Sequence, residues 1–414
     1  MIFTSLSPNT QKNDLFLAIK SILQPWKWNS SKYQKKFVNN FNQKLQLKNS
    51  FTFDSARSGL YIVLKSLNLS KNDEIILQAY TCVALVNPIL WVGAQPKYVD
   101  CDEDDFNISI KDLQKKINPN SKVLIIQHTF GQPAKLTKIL NIAKKNNLIV
   151  IEDCAHSLGT KYKNKYTGSF GDAAIFSLGR DKVISSTSGG VLTINNQRLL
   201  KKVKELYKEL PSPPNFWTFQ QLAHPIILAI VKPTYNFLKI GRIIIRSALL
   251  IKLISKPIQE SEKFGKKPTN QTYKLSGILH KVANLQLQKL DQYNNHRIKL
   301  AKIYHTNLSK KVSPPSPSIL SESIFLRYTV LVPNPRTIYN HFLDHNIQLG
   351  TWFDNVIMPK DTDLKSVKYE LNSCPNAQKL AIQSLNLPNG INVSTKEAKT
   401  ISKKLNSFID NQFK

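Results

Sequence analysis

Between Phe51 and Thr193, short β-branched and aliphatic runs alternate with stretches of helical period. That alternation predicts a mostly parallel sheet covered by helices. Strands are expected at Glu74–Leu77, Pro96–Val99, Val123–Gln127, Leu148–Ile151 and Ala173–Leu178. Between them Leu60, Val63, Leu64 and Leu67, and later Leu136, Ile139, Leu140 and Ala143, recur at the spacing of a helix face.

At 414 residues the chain is long enough for two or more domains, and 41% hydrophobic content with 19 Phe and 14 Tyr excludes wholesale disorder. We divide it into a helical lead-in (1–50, with Trp26, Trp28, Phe37 and Phe41), a large α/β domain (51–210), a basic apolar insertion (211–270) and a C-terminal region (271–414). In the last region, Ile278, Val282, Leu285, Leu287 and Leu290 predict one long helix from near Asn270 to Leu308. A Pro/Ser turn at Val312–Pro317, a strand at Phe325–Val332 and helices at Arg336–Asn346, Asn376–Ser384 and Thr395–Ile409 then read as a small α+β domain.

Cys82, Cys101, Cys154 and Cys374 are scattered without a CxxC pair, which indicates neither a zinc site nor a disulfide scaffold and fits a reducing cytoplasm. A formal charge of +31 has two explanations: contact with nucleic acid, anionic lipid or anionic ligands, or a compositional bias towards Lys and Asn. No nucleic-acid-binding motif accompanies it, so no nucleic-acid partner is expected. Met1–Asp14 lacks the basic and apolar regions of a secretory signal, and no run of about eighteen apolar residues occurs, so neither export nor a membrane span is expected.

In parallel α/β sheets ligands bind beyond the carboxyl ends of the strands. Glu152-Asp153-Cys154-Ala155-His156 follows one predicted strand, and Gly179-Arg180-Asp181-Lys182 follows the next. The tight Gly168–Asp172 turn precedes that second strand, and Ser188-Gly189-Gly190 comes after it. Alone, Lys182 reads as a solvated lysine and Asp153 as a helix cap. Together, an acid ending one strand and a lysine ending its neighbour are what pyridoxal phosphate requires, the lysine to hold the cofactor and the carboxylate to keep its pyridine nitrogen protonated.

These runs, with Ser177 five residues before Lys182, resemble the DegT/DnrJ/StrS family of sugar aminotransferases, fold type I pyridoxal phosphate enzymes. The resemblance spans roughly Trp28–Glu209 and Thr272 onwards. It implies a large domain with a seven-stranded, mostly parallel sheet between helices and a smaller C-terminal α+β domain. It makes Lys182 the Schiff-base lysine and proton shuttle, and it pairs Asp153 with the pyridinium nitrogen. It sets His156 near the phenolic oxygen and Ser177 on the phosphate. Ala56-Arg57-Ser58 stands where the family starts a phosphate-binding helix, Arg57 being a departure that still suits an anion.

Cys82 of Thr81-Cys82 takes the place of an aromatic that stacks on the cofactor, leaving Tyr80 or Phe130 as substitutes or Cys82 as an ordinary buried thiol. Lys274 of Thr272-Tyr273-Lys274 falls where the family reaches the partner subunit's phosphate, although a surface lysine is an equal reading. His128 reads as a packed strand histidine. A homodimer, glutamate as amino donor and a keto-sugar acceptor follow from the same resemblance.

Between Pro211 and Lys256 there are six basic residues and no acidic one, amid Phe216, Trp217, Phe219, Ile226–Val231 and Ile243–Ile245. On a helical wheel Lys239, Arg242, Arg246, Lys252 and Lys256 span an arc of roughly 140°. Such a basic stripe suits an anionic membrane surface on the inner face, which would admit a lipid-linked saccharide as substrate. The alternative is an insertion packed on the protein's own domains or its dimer mate, with Pro225, Pro233 and Pro257 dividing it. Three functions therefore compete: a sugar aminotransferase for polysaccharide or glycolipid synthesis, a same-fold enzyme that dehydrates a sugar or uses an amino acid, and a non-catalytic basic membrane-binding protein.

Overall fold

The computed structural model describes residues 1–269, 272–309, 311–312, 315 and 320–412. Among them, the central sheet contains β1 (Ser50–Phe53), β2 (Glu74–Gln78), β3 (Gln95–Val99), β4 (Ser121–Gln127), β5 (Ile149–Asp153), β6 (Ala173–Ser177) and β7 (Gly190–Ile194). Across the sheet the order is β1-β7-β6-β5-β4-β2-β3, so the fold is α/β with a seven-stranded sheet. Only β7 is antiparallel to its neighbours.

The strands are apolar on both sides because both sides are covered. Two helices, α1 (Lys12–Ile22) and α2 (Ser31–Leu45), precede the sheet. Ile75, Leu77, Val123, Ile125 and Ile151 pack with Leu60 and Val63 of α3 (Ala56–Lys65) and Val86 of α4 (Val83–Trp91). The alternate residues Ile76, Leu124, Ile126 and Val150 meet Leu113 of α5 (Ile110–Lys116) and Leu136 and Ile139 of α6 (Leu136–Lys145). Near β6 and β7, Phe176 and Val191 pack with Phe37 and Phe41 of the helix Ser31–Leu45 and with Leu279. Each such side chain contributes about 1.5–3 kcal/mol on full burial.

The strands expected in the central sheet lie within one or two residues of those observed, the expected Phe325–Val332 is shortened to Tyr328–Leu331, and β1 and β7 have no counterpart among the expected strands. The predicted long helix is two, Gly277–Gln288 and Leu290–Asn307, broken at Lys289. Most of the expected Val312–Pro317 turn lies outside the described residues. The C-terminal core joins the second of those helices to the strand pair Tyr328–Leu331 and Ser384–Leu387 and to the helix Thr395–Gln412.

The insertion folds as a helical hairpin. A twenty-residue helix, Asn215–Thr234, runs through Pro225 and Pro233, which therefore do not divide it, and the second helix spans Ile240–Leu250. The single basic stripe does not form: the second helix stops at Leu250, so Lys252 and Lys256 leave its wheel. Among the described residues, no helix is long and apolar enough to cross a membrane.

Candidate active site

β5 and β6 lie side by side, with Asp153 in register with Ile175, so their carboxyl ends deliver Asp153 and the Ser177–Lys182 loop to one place. Lys182 is half-buried, its Nζ 5.0 Å from the centre of the Trp352 ring. Burial lowers its pKa despite the opposing charge of Asp153. A lower ammonium pKa leaves more free amine near neutral pH. Asp153 is 8% exposed, and burial raises its pKa while Lys182 and His128 oppose the rise. Its Oδ1 accepts from the Ala155 N–H at 3.0 Å, and among the described residues Oδ2 takes no hydrogen bond.

His156 is buried, its ring stacked on Phe130 with centroids 6.0 Å apart. Its Nδ1 accepts from the Phe130 N–H at 3.3 Å, which places the proton of the neutral imidazole on Nε2. Burial, reinforced by Lys182 and Arg327, holds its pKa well below the ordinary histidine value. The neighbouring Glu152 accepts from the backbone N–H groups of Gly168, Phe170 and Gly171 and contacts His128 Nε2 at 3.1 Å. Glu152 thus fastens the glycine turn before β6, and His128, one residue beyond the end of β4, is a packed histidine with no exposed surface.

On the phosphate side, Ser55 caps α3, accepting from the Ser58 N–H at 3.3 Å and lying 2.9 Å from Ser58 Oγ. Gly190 is required here, because a Cβ would stand 2.3 Å from Ala56 N and 2.4 Å from its Cα. The helix start therefore rests directly on β7, beside the Ser177 end of β6. Ser177 Oγ accepts from the Gly179 N–H at 3.3 Å.

The structure thus gathers Lys182, Asp153, His156, Ser177, Ser58 and Cys82 around one strand-end region. Cys82 is half-buried, its thiol pKa raised by burial, with Lys182 and Arg57 close enough to oppose the rise. Arg57 is turned elsewhere: it bridges to buried Glu262 at 2.8 Å and donates to Pro257 O at 3.0 Å. Lys274 is also apart, donating to Lys208 O at 3.0 Å and lying over the Tyr207 ring. Tyr80 is fully buried with its hydroxyl on Ser384, and Phe130 is fully buried behind His156, so neither substitutes openly for the missing aromatic.

The match to known proteins agrees with this arrangement. The profile of the DegT/DnrJ/EryC1/StrS aminotransferase family matches residues 9–216 and 244–406. The chain belongs to that family. This aminotransferase is 27% identical over 391 residues to the GDP-perosamine synthase of Escherichia coli O157:H7, covering 92% of each chain. It shares its fold with the aminotransferase TlmJ from Streptoalloteichus hindustanus (TM-score 0.77, 16% identity, 100% of both chains). The same holds for Helicobacter pylori PseC, an aminotransferase involved in the biosynthesis of pseudoaminic acid (TM-score 0.75, 19% identity, 99% of this chain and 100% of that one).

The aminotransferase also brings in residues that the sequence reading missed. Trp352 covers Lys182, and Arg327, only 4% exposed, lies 6.0 Å from the same ring and donates to Thr4 O. Asn9 Nδ2 donates to the backbone oxygens of Lys182 (2.7 Å) and Val183 (3.0 Å), while Asp181 accepts from the Ser7 N–H at 2.8 Å. Fully buried Arg297 donates to Asn9 Oδ1 at 2.9 Å and Val183 O at 3.0 Å. Arg297 sits within the Leu290–Asn307 helix, where nothing in the local sequence distinguishes it from a surface arginine.

Proposed function

We propose that this aminotransferase uses pyridoxal 5'-phosphate to move the amino group of glutamate onto a keto-sugar, nucleotide- or lipid-linked, for polysaccharide or glycolipid synthesis. The observation that carries this reading is that Asp153, ending β5, and Lys182, in the loop that follows the adjacent parallel β6, lie close enough for each charge to act on the other. Asp153 Oδ2, without a protein donor among the described residues, fits a ring nitrogen that brings its own proton. The sugar assignment is supported by the relative named for GDP-perosamine.

Bound there, the cofactor supplies an electron sink for the charge left when the donor loses its α-proton. Lys182 Nζ would take up and return that proton, and burial favours the free amine this needs. With the cofactor in place, Asp153 would hold negative charge against its ring nitrogen, and His156 would offer Nε2–H to its phenolic oxygen. Ser177 Oγ, Ser58 Oγ and the N–H groups starting α3 would hold its phosphate. Trp352 closes the side of Lys182 that would otherwise meet water.

The protein works in the cytoplasm as a homodimer whose sites are shared, Lys274 swinging from Lys208 O to the partner's phosphate. Mixing Lys182→Ala with Lys274→Ala protein tests the sharing, since hybrids regain one intact site. No recovered activity despite demonstrated subunit exchange overturns it. For the chemistry, the test is visible absorbance of the cofactor-loaded protein: bleaching by glutamate, colour returning with a keto-sugar nucleotide, and borohydride-trapped label on Lys182. Label elsewhere, or no response to glutamate, overturns the reading.

A further inference from the structure

The hairpin has an outer face that nothing among the described residues covers. Its inner side packs Ala223, Ile227, Leu228 and Val231 against Ala248, Ile254 and Leu6. Outside, the turn exposes Phe237 and Leu238 (77%), and the second helix and its end expose Ile243, Leu250 (81%) and Ile251. Ile243, Arg246 and Leu250 follow at steps of three and four residues, so they share one helix face, Lys239 stands at the helix N-cap, and all four are exposed. Lys252 extends the charge beyond the helix end. The packed helix Lys12–Ile22 adds exposed Phe16 and Ile19, with exposed Lys12 and Lys20 beside them.

The remaining cations are already engaged. Lys232 donates to Ser7 O at 2.9 Å, Arg242 donates to Asn236 Oδ1 and lies over Tyr235, and Lys256 pairs with Glu260. Lys239, Arg246 and Lys252 have no carboxylate partner among the described residues, and 211–256 contains no acidic residue.

We propose that this face docks on an anionic lipid bilayer. Exposed aliphatic and aromatic groups beside unpaired cations fit the boundary between acyl chains and anionic headgroups. A second copy of the chain is a poorer occupant, because a two-fold contact sets each cation patch against its like and the chain carries a net charge of +31. Nucleic acid would satisfy the cations but leave Leu238, Ile243 and Leu250 in water. The face is rigidly tied to the catalytic loop, since Arg180 Nη2 donates to Ser255 O at 2.6 Å just beyond the hairpin. Docking stands apart from the transamination reading and can fail without it.

The test is co-sedimentation of the cofactor-loaded protein with vesicles of phosphatidylcholine alone and with added phosphatidylserine. The intact protein prefers the anionic vesicles, and salt weakens binding without abolishing it. Lys239→Glu with Arg246→Glu lowers the anionic partition coefficient by at least about 25-fold, about fivefold for each cation lost, with the added carboxylates repelled in addition. Ile243→Ser with Leu250→Ser removes the salt-resistant part. All four positions are exposed and away from the catalytic groups, so turnover of a soluble substrate is unchanged, and either pair decides if the other folds poorly. Equal binding to both vesicle types, or variants that bind as well as the parent, overturns the proposal. So does a change in oligomeric state with vesicle binding unaltered, or binding to duplex nucleic acid in place of vesicles.

Discussion

The sheet and the hairpin touch at the loop that carries Lys182 but are composed by different rules. In the sheet, apolar residues alternate between two covered faces, and Glu152 spends its carboxylate on three backbone N–H groups of a turn. In the hairpin, one face is packed and the other holds exposed Phe237, Leu238, Ile243 and Leu250 among cations. The family profile runs unbroken through the sheet and omits 217–243, most of the hairpin. Residues in the sheet are thus explained by neighbours and by chemistry shared across a family. Those on the hairpin's outer face have no such neighbours among the described residues.

If that contrast holds, changes in the sheet should abolish chemistry or folding and changes at the join should only loosen. The largest effect is expected from Lys182→Ala, which loses transamination by about four orders of magnitude or more while the thermal midpoint holds, because the lysine acts as holder and proton carrier. Near-normal turnover with glutamate would remove it from the site. Asp153→Asn should keep the cofactor but slow turnover by roughly a hundredfold, as an amide cannot hold the pyridinium proton. Single-turnover absorbance changes measure this, and an unchanged rate excludes Asp153.

Gly190→Ala sharpens the structural side. Its Cβ meets backbone of Ala56, which cannot rotate away, so a loss of about 3 kcal/mol is expected together with weaker cofactor binding. Urea unfolding and cofactor titration would show it; wild-type values for both would mean that the helix start is not held against β7. Smallest is Arg180→Ala, which should leave the sheet intact and cost about 2 kcal/mol in docking the hairpin. Limited proteolysis should then cut within 211–256 roughly thirtyfold faster. Equal cleavage would show that the loop and hairpin are not coupled there.

Legibility in the sequence followed distance along the chain. The parallel strands are local patterns, and Asp153 and Lys182 announce themselves by ending two of them. Phe51–Phe53 and Val191–Ile194 are short runs at one side of the sheet, and β7 alone runs antiparallel, which a βα alternation gives no reason to expect. Trp352 and Arg327 reach Lys182 only because the C-terminal region folds back, and nothing local marks them. The cation wheel failed because it assumed one helix through Lys256, whereas backbone turns at Ile251 and Lys252 end it. Arg57 and Lys274 were placed by resemblance, and their observed partners, Glu262 and Lys208, come from segments that pattern reading leaves undefined.

The first residues of the chain lie at the junction of all these parts. Ile2 and Phe3 form a parallel pair with Ile347 and Gln348, Thr4 accepts from Arg327, Ser7 holds Asp181, and Asn9 links the Lys182 backbone to Arg297. Loops hundreds of residues long must close before those contacts exist, and such closures come late and slowly. During synthesis on a ribosome, the sheet can therefore assemble while the loop carrying Lys182 still lacks its braces, and the geometry around Lys182 waits for the last quarter of the chain to emerge. Refolding followed by both far-ultraviolet dichroism and cofactor capture should show secondary structure returning well before the lysine becomes competent.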